Sequence, residues 1–227
     1  FMLHYLPIED FLQQSKIGIM LDVRTPAEYQ QGHIPNTFNI PLFSNEDRVK
    51  VGTCYKQIGK KQAILLGFEL IGGNWANFIR QTDALFEKEN TKPLPKKVFI
   101  YCWRGGMRSA AMAWALQMGG YEVVLLKGGY KSYRKLCLQT FNAPYPIIVL
   151  SGKTGSAKTE LLAALKVLGE QVIDLEELAN HQGSSFGSMG KNIQPSQEHF
   201  ENLLCAELLS IKKEKEVWME NESILIG

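Results

Sequence analysis

Val98-Phe99-Ile100-Tyr101-Cys102-Trp103-Arg104-Gly105-Gly106-Met107-Arg108-Ser109 is the stretch whose reading decides the fold. Apolar and aromatic residues run straight into a cysteine, and five residues, two of them glycine, separate Cys102 from Arg108. Apolar residues then recur at Ala110, Ala111, Ala113, Trp114 and Leu116, near helical spacing. The pattern predicts strand, tight loop and helix, with Cys102 at the carboxyl end of the strand. Crevices beyond such strand ends are where open α/β sheets bind ligands.

A loop curled over a helix N-terminus aims backbone N–H groups at its centre, and the helix dipole adds partial positive charge. Gly105 and Gly106 let the backbone turn that tightly. A cysteine so placed is expected to have a depressed pKa and to be partly thiolate at neutral pH. Arg104 and Arg108 can hold an oxyanion through paired hydrogen bonds, with Trp103 and Met107 completing the loop. The plainer role of a lone cysteine is buried packing; the arginines and glycines crowded around this one argue against it. Cysteine, five residues, arginine is also the spacing of cysteine-dependent phosphatases, whereas rhodanese sulfurtransferases more usually have four intervening residues. A wider ring suits a larger anion, so loop size alone leaves phosphate or a selenium-containing donor open.

With 227 residues the chain can form one large or two modest domains, each with its own core. Hydrophobic content of 45% and charged content of 21% fit a soluble globular protein. A net charge of +2 neither announces nor excludes a nucleic-acid partner. No apolar run is long enough to predict a membrane span, and no signal peptide is visible. The Phe1-Met2 opening suggests that Phe1 is an added residue. Cys54, Cys102, Cys137 and Cys205 are scattered without a Cys-x-x-Cys pair. That predicts a reduced, cytoplasmic protein and no metal centre.

Residues 17–43 are the second informative stretch. Ile17 to Leu21 predicts a short buried strand ending in Asp22-Val23-Arg24. Thr25 as N-cap, Pro26 at the first helical position and Glu28 three residues on then open a helix, closed by Gly32-His33-Ile34-Pro35. Phe38 to Pro41 suggests a further strand. The run from Asp22 to Tyr29, followed by Gly-His-Ile-Pro and Asn-Ile-Pro, resembles the N-terminal signature of rhodanese domains. The resemblance implies that Asp22 and Arg24 support the active-site region; a surface ion pair is the plainer reading. His33 reads as a turn or packing residue.

Residues 44–95 are predicted to be helical with glycine breaks, including a helix from Trp75 to Lys88 with one apolar face and a linker at Pro93-Leu94-Pro95. Tyr121 to Leu126 reads as a buried parallel strand. Gly128-Gly129-Tyr130 is again similar to rhodanese domains, and a helix over Lys131 to Phe141 closes the unit. Asn142 to Pro146 marks the domain boundary, giving a first domain over 1–143 and a second over 144–227.

The second domain opens with the strand Ile147 to Leu150. Gly152-Lys153-Thr154-Gly155-Ser156-Ala157-Lys158-Thr159 follows, then a helical run from Glu160 to Leu168. This is a P-loop pattern in its strand–loop–helix setting, with Ala157 in place of the last glycine. Lys158 would contact terminal phosphates, Thr159 could ligate Mg²⁺, and the loop amides would hold a phosphate. A plain glycine-serine turn is the alternative. Val172 to Leu175 predicts a strand, Asn180 to Gly187 a surface loop or substrate lid, and His199 a solvated helical residue. Glu220 or Glu222, at the end of a strand beginning at Val217, could serve as a Walker B carboxylate. So short a P-loop domain has little core of its own, and it is expected to be incomplete at its C-terminus.

The fold class is therefore α/β, a rhodanese-like parallel-sheet domain followed by a P-loop NTPase-like α/β domain. The succession of the Tyr101–Ser109 stretch, the run from Asp174 to Gly187 and the run from Gln194 to Asn202 resembles the tRNA 2-selenouridine synthase family across the chain. That resemblance implies a cytoplasmic transferase converting wobble 2-thiouridine of tRNA to 2-selenouridine through an S-geranyl intermediate. It implies selenophosphate and geranyl diphosphate as substrates, with a selenophosphate synthetase supplying the former. Cys102 would handle selenium, and the P-loop would grip the diphosphate. Two other readings stand beside it: a cysteine-dependent phosphatase, and a sulfurtransferase or persulfide carrier with a nucleotide-binding module.

Overall fold

The computed structural model describes residues 2–88, 96–153, 156–179 and 194–221. These form two compact units, 1–135 and 136–227. In chain order the first contains β1 (His4–Leu6), α1 (Ile8–Ser15), β2 (Ile19–Asp22), α2 (Pro26–Gln31), β3 (Phe38–Asn39), α3 (Asn45–Gln57) and α4 (Lys60–Ile71). A 3₁₀ turn leads to α5 (Trp75–Lys88), then β4 (Lys97–Tyr101), α6 (Met107–Met118), β5 (Glu122–Leu126) and α7 (Tyr130–Phe141), which runs into the second unit. That unit continues with β6 (Ile147–Leu150), α8 (Lys158–Val167), β7 (Gln171–Ile173), α9 (Leu175–Leu178), α10 (Gln197–Ser210) and β8 (Val217–Glu220).

Both sheets are parallel. The first has the order β1-β5-β4-β2-β3, which places β4 at its centre. Burial follows from position: Val98, Phe99, Ile100 and Tyr101 of β4 are wholly buried because helices cover both faces. The side chains of Val98 and Ile100 join a core with Leu21, Val23, Met112, Leu116 and Leu125. The second sheet is β6-β8-β7, and its core is built around Ile173, Leu208 and Val217. The α/β architecture anticipated from the chain is the one observed.

Several local expectations are corrected. Gly52 and Gly67 lie inside α3 and α4, while the glycine breaks expected in this region fall at Gly59, with φ of 135°, and at Gly72–Asn74. Asp22 and Arg24 are not a surface pair; both are buried. His199 is half-buried rather than solvated. The Pro93–Pro95 linker, the Asn180–Gly187 loop, Thr154, Gly155 and Glu222 lie outside the described residues.

Candidate active site

Cys102 follows directly on β4, as the central strand of the sheet emerges at its carboxyl end. The loop it opens is fixed from below by backbone bonds: Tyr130 N donates to Cys102 O at 2.8 Å, and Lys131 N to Trp103 O at 3.1 Å. Two glycines make this approach possible. A Cβ on Gly129 would stand 2.3 Å from Cys102 O and 2.4 Å from Gly105 N, and one on Gly105 would stand 2.5 Å from Leu126 O. Both have positive φ, 62° and 64°, so any side chain would meet strain as well as backbone. Sequence reasoning had Gly129 only as part of a resemblance; its steric role needed the fold.

The sulfur sits under the N-terminus of α6. Gly106 N donates to Cys102 Sγ at 3.3 Å, and Ser109 Oγ lies 3.3 Å from the same sulfur while donating to Gly106 O at 3.0 Å. The Ser109 hydroxyl can accept from a thiol here, or rotate to donate to a thiolate. Trp103, Arg104, Gly106 and Met107 are exposed around this point, with Gly105 and Arg108 half-buried.

Arg108 carries a partner that the sequence did not disclose. Its Nη1 donates to Glu28 Oε2 at 2.6 Å and its Nη2 to Glu28 Oε1 at 3.2 Å. Glu28 meanwhile closes the capping box of α2 with Thr25. Burial opposes the charge on Glu28, yet the bonds from Arg108 hold its carboxyl below the ordinary glutamate value. The pair is thus formed at neutral pH and is lost as pH falls through that depressed value. Glu28→Gln keeps the cap but removes the charge beside the anion cradle. We expect sulfate to protect Cys102 from alkylation at a roughly two- to fivefold lower concentration in this variant, read by peptide mass mapping.

Beneath the loop lies the Asp22–Arg24 pair. Arg24 Nη2 donates to Asp22 Oδ2 and to Gly32 O, both at 2.6 Å, and its Nε reaches both Asp22 oxygens. Its guanidinium stacks 3.8 Å from the Tyr130 ring centroid and 5.9 Å from that of Trp103. Burial raises the Asp22 carboxyl even with Arg24 bonded to it, while Asp22 keeps Arg24 charged against the same burial. Tyr130 is therefore a packing residue, wholly buried, whereas Trp103 keeps an exposed face. His33 stacks on Tyr29 and its Nδ1 lies 2.9 Å from Tyr29 O, in keeping with a packing role.

Cys102 is buried, 3% exposed and joined to the core, and it lines a cavity of about 950 Å³ bounded by α3, α4 and the loop–α6 segment. Leu42, Ile64, Phe68, Trp75, Ala111 and Trp114 give it apolar walls, and Arg48, Lys56, Arg104 and Arg108 are its charged residues. No Asp or Glu lines it among the described residues. Nothing in the chain's periodicity marked this space, because spacing predicts helices but not the gap between them.

In the second unit, Gly152 follows β6, and Lys158 opens α8 with Nζ donating to Gly152 O at 3.2 Å. Lys153, Ser156 and Thr159 are exposed along the loop and the first turn of the helix. Ala157 caps α8 with φ of 60° in the left-handed region. The last glycine of the usual motif thus has a conformational purpose, and alanine meets it at a cost of about 1–2 kcal/mol. Glu220 ends β8 beside Leu150 of β6 and is only 2% exposed. Its Oε1 accepts from Glu176 N at 2.9 Å, and its Oε2 has no hydrogen-bond partner among the described residues.

Burial, with Asp174 nearby, raises the Glu220 pKa to about 7 from an ordinary 4.5. A carboxyl whose pKa is raised by folding favours the folded state while protonated. Stability therefore declines as pH rises through the window from about 4.5 to about 7. Glu220→Gln should remove that decline, measured as thermal midpoint against pH in the presence of a chelator.

Residues 8–136 match the rhodanese-like domain, and residues 145–227 match the tRNA 2-selenouridine synthase AAA domain. A tRNA 2-selenouridine synthase of Shewanella denitrificans is 38% identical over 215 residues, covering 92% of this chain and 55% of the relative. Its counterpart from Shewanella sediminis is 40% identical over 213 residues, with the same coverage. The chain thus spans about 55% of the length of these curated relatives. Among solved structures, an N-terminal domain from a Clostridium difficile 630 protein is 38% identical with a TM-score of 0.53, covering 59% of this chain and 98% of that one.

Proposed function

The chain belongs to the rhodanese-like family, with the AAA domain of tRNA 2-selenouridine synthases following in sequence, and from that premise we propose that it acts in replacing sulfur by selenium at the wobble 2-thiouridine of tRNA. The route runs through an S-geranyl intermediate, with geranyl diphosphate and selenophosphate as substrates and a selenophosphate synthetase as the donor's source. Prenylation turns the sulfur at C2 into a leaving group that a selenium nucleophile displaces. The observation that carries this reading is Cys102 beneath the α6 N-terminus, 3% exposed and lining a cavity whose walls are cationic and apolar, with no carboxylate among the described residues.

In this scheme Cys102 handles selenium: its thiolate attacks selenophosphate at phosphorus, the P–Se bond breaks and selenide leaves with its electron pair, and water then frees the phosphate from the sulfur. The loop amides, Arg104 and Arg108 steady the anion, with Asp22 and Arg24 holding the floor. Lys158 and the amides of residues 153–158 would grip the diphosphate. Mg²⁺ fits the second unit because the buried Glu220 Oε2 lacks a partner among the described residues; Thr159 and Glu220 would hold it. Bound there, it would neutralise diphosphate charge. The exposed face of Trp103 offers a surface for a splayed base. Among the described residues no Asp or Glu lines the cavity to protonate a phosphatase's leaving alcohol, which supports the transferase over that alternative.

The test is reconstitution. Protein, 2-thiolated tRNA, geranyl diphosphate and selenophosphate are combined and the nucleosides are weighed by mass spectrometry. Appearance of S-geranyl-2-thiouridine and then 2-selenouridine is expected; unchanged nucleosides would overturn the proposal. Steady turnover of an aryl phosphate, lost in Cys102→Ser, would favour the phosphatase.

A further inference from the structure

We propose that the cavity between α3, α4 and α6 seats the prenyl chain of the S-prenylated uridine while its sulfur is displaced beside Cys102. This rests on the function proposed above and assigns its leaving group a site in the first unit. The volume of about 950 Å³ lies at the upper end of the range for small-molecule sites. Its wall chemistry is selective. Among the described residues no Asp, Glu, Asn, Gln, Ser or Thr lines it, so away from its cations and Tyr55 the wall offers a sugar or a base edge few partners, whereas an aliphatic chain needs none.

The surrounding helices point the same way. α3 runs for 13 residues with none of them fully buried; Val51 packs only in part against the core, and both Val51 and Tyr55 line the cavity. Helices of that length normally persist by packing an apolar face. Opposite, Phe68 of α4 and Trp114 of α6 are 55% and 45% exposed along the same wall. Large apolar side chains left uncovered together mark a ligand groove.

Charge completes the match. Arg48, Lys56 and Arg104 stand among the lining residues, suited to the phosphates flanking a nucleoside and to the anion that departs. In the displacement, the selenide freed from selenophosphate at Cys102, whose phosphoryl group ends as phosphate, supplies the electron pair for a new bond to C2. The C2–S bond breaks, and sulfur leaves with its pair as the prenyl thiolate, its chain already in the apolar space.

Binding can be read directly, since Trp75, Trp103 and Trp114 line the cavity. The fluorescence of the protein is titrated with S-geranyl-2-thiouridine, with 2-thiouridine and, separately, with geranyl diphosphate. We expect the prenylated nucleoside to bind at least about thirtyfold tighter than 2-thiouridine. Phe68→Glu, at a position exposed enough to spare the fold, should reduce that preference about tenfold or more. Equal binding of the two nucleosides, or a preference that Phe68→Glu leaves intact, would overturn the assignment. So would a Phe68→Glu defect confined to geranyl diphosphate, which would give the cavity to the free donor. Selenation of S-geranyl-tRNA by the wild-type protein is followed in parallel. Selenium incorporation without chain preference defeats the seat alone, and chain preference without incorporation defeats only the proposed function.

Discussion

Cys102→Ser is expected to lower selenium incorporation by about a thousandfold or more while S-geranyl-tRNA still accumulates. Serine preserves the volume and the contacts with Gly106 N and Ser109 Oγ, so the cradle remains and only the soft nucleophile is lost. Lys158→Ala should give the reverse pattern: prenylation falls by about a hundredfold or more, because the lysine is the one charged group expected to follow the diphosphate through the reaction. S-geranyl-tRNA supplied ready-made should bypass the Lys158 defect and leave the Cys102 defect untouched. Equal loss of both steps in both variants would refute this division of labour. The readout is nucleoside mass spectrometry over a time course.

The second large effect is on stability. Asp22→Asn should destabilise the first unit by about 3–5 kcal/mol, a large share of the roughly 5–15 kcal/mol that holds a domain together. The reason is electrostatic. Arg24 is 1% exposed, and without the Asp22 charge it would be buried with the Gly32 carbonyl and the faces of Tyr130, Tyr101 and Trp103 but no anion in compensation. Replacing both partners with apolar side chains, as in Asp22→Leu with Arg24→Met, should cost less than Asp22→Asn alone, since no charge is then left uncompensated. Denaturant unfolding of the three proteins measures this. A mild Asp22→Asn effect would mean that water reaches Arg24.

The contrast between these two sites explains what the chain revealed in advance. The β4–Cys102–α6 unit was legible because its signals are local: an apolar run, a glycine loop, then helical spacing. The P-loop was legible for the same reason. The capping box of Thr25 and Glu28 was also local, but the second duty of Glu28 spans 80 residues to Arg108 and leaves no mark on spacing. Burial of Asp22 and Arg24 was hidden likewise, because short polar runs after a strand look the same whether helices cover them or not. The cavity was least legible of all. It depends on how far apart α3 and α4 stand from α6, which side-chain periodicity does not encode.

The account turns on a single sulfur held before an anion cradle, and alkylation tests it most directly. Native protein is treated with limiting iodoacetate or iodoacetamide, and each of Cys54, Cys102, Cys137 and Cys205 is followed by peptide mass mapping. The prediction is that Cys102 reacts first, prefers the anionic reagent relative to a free thiol in solution, and is protected by selenophosphate or sulfate. Should Cys102 stay unmodified while Cys54 reacts, or should those anions give it no protection, the account is contradicted.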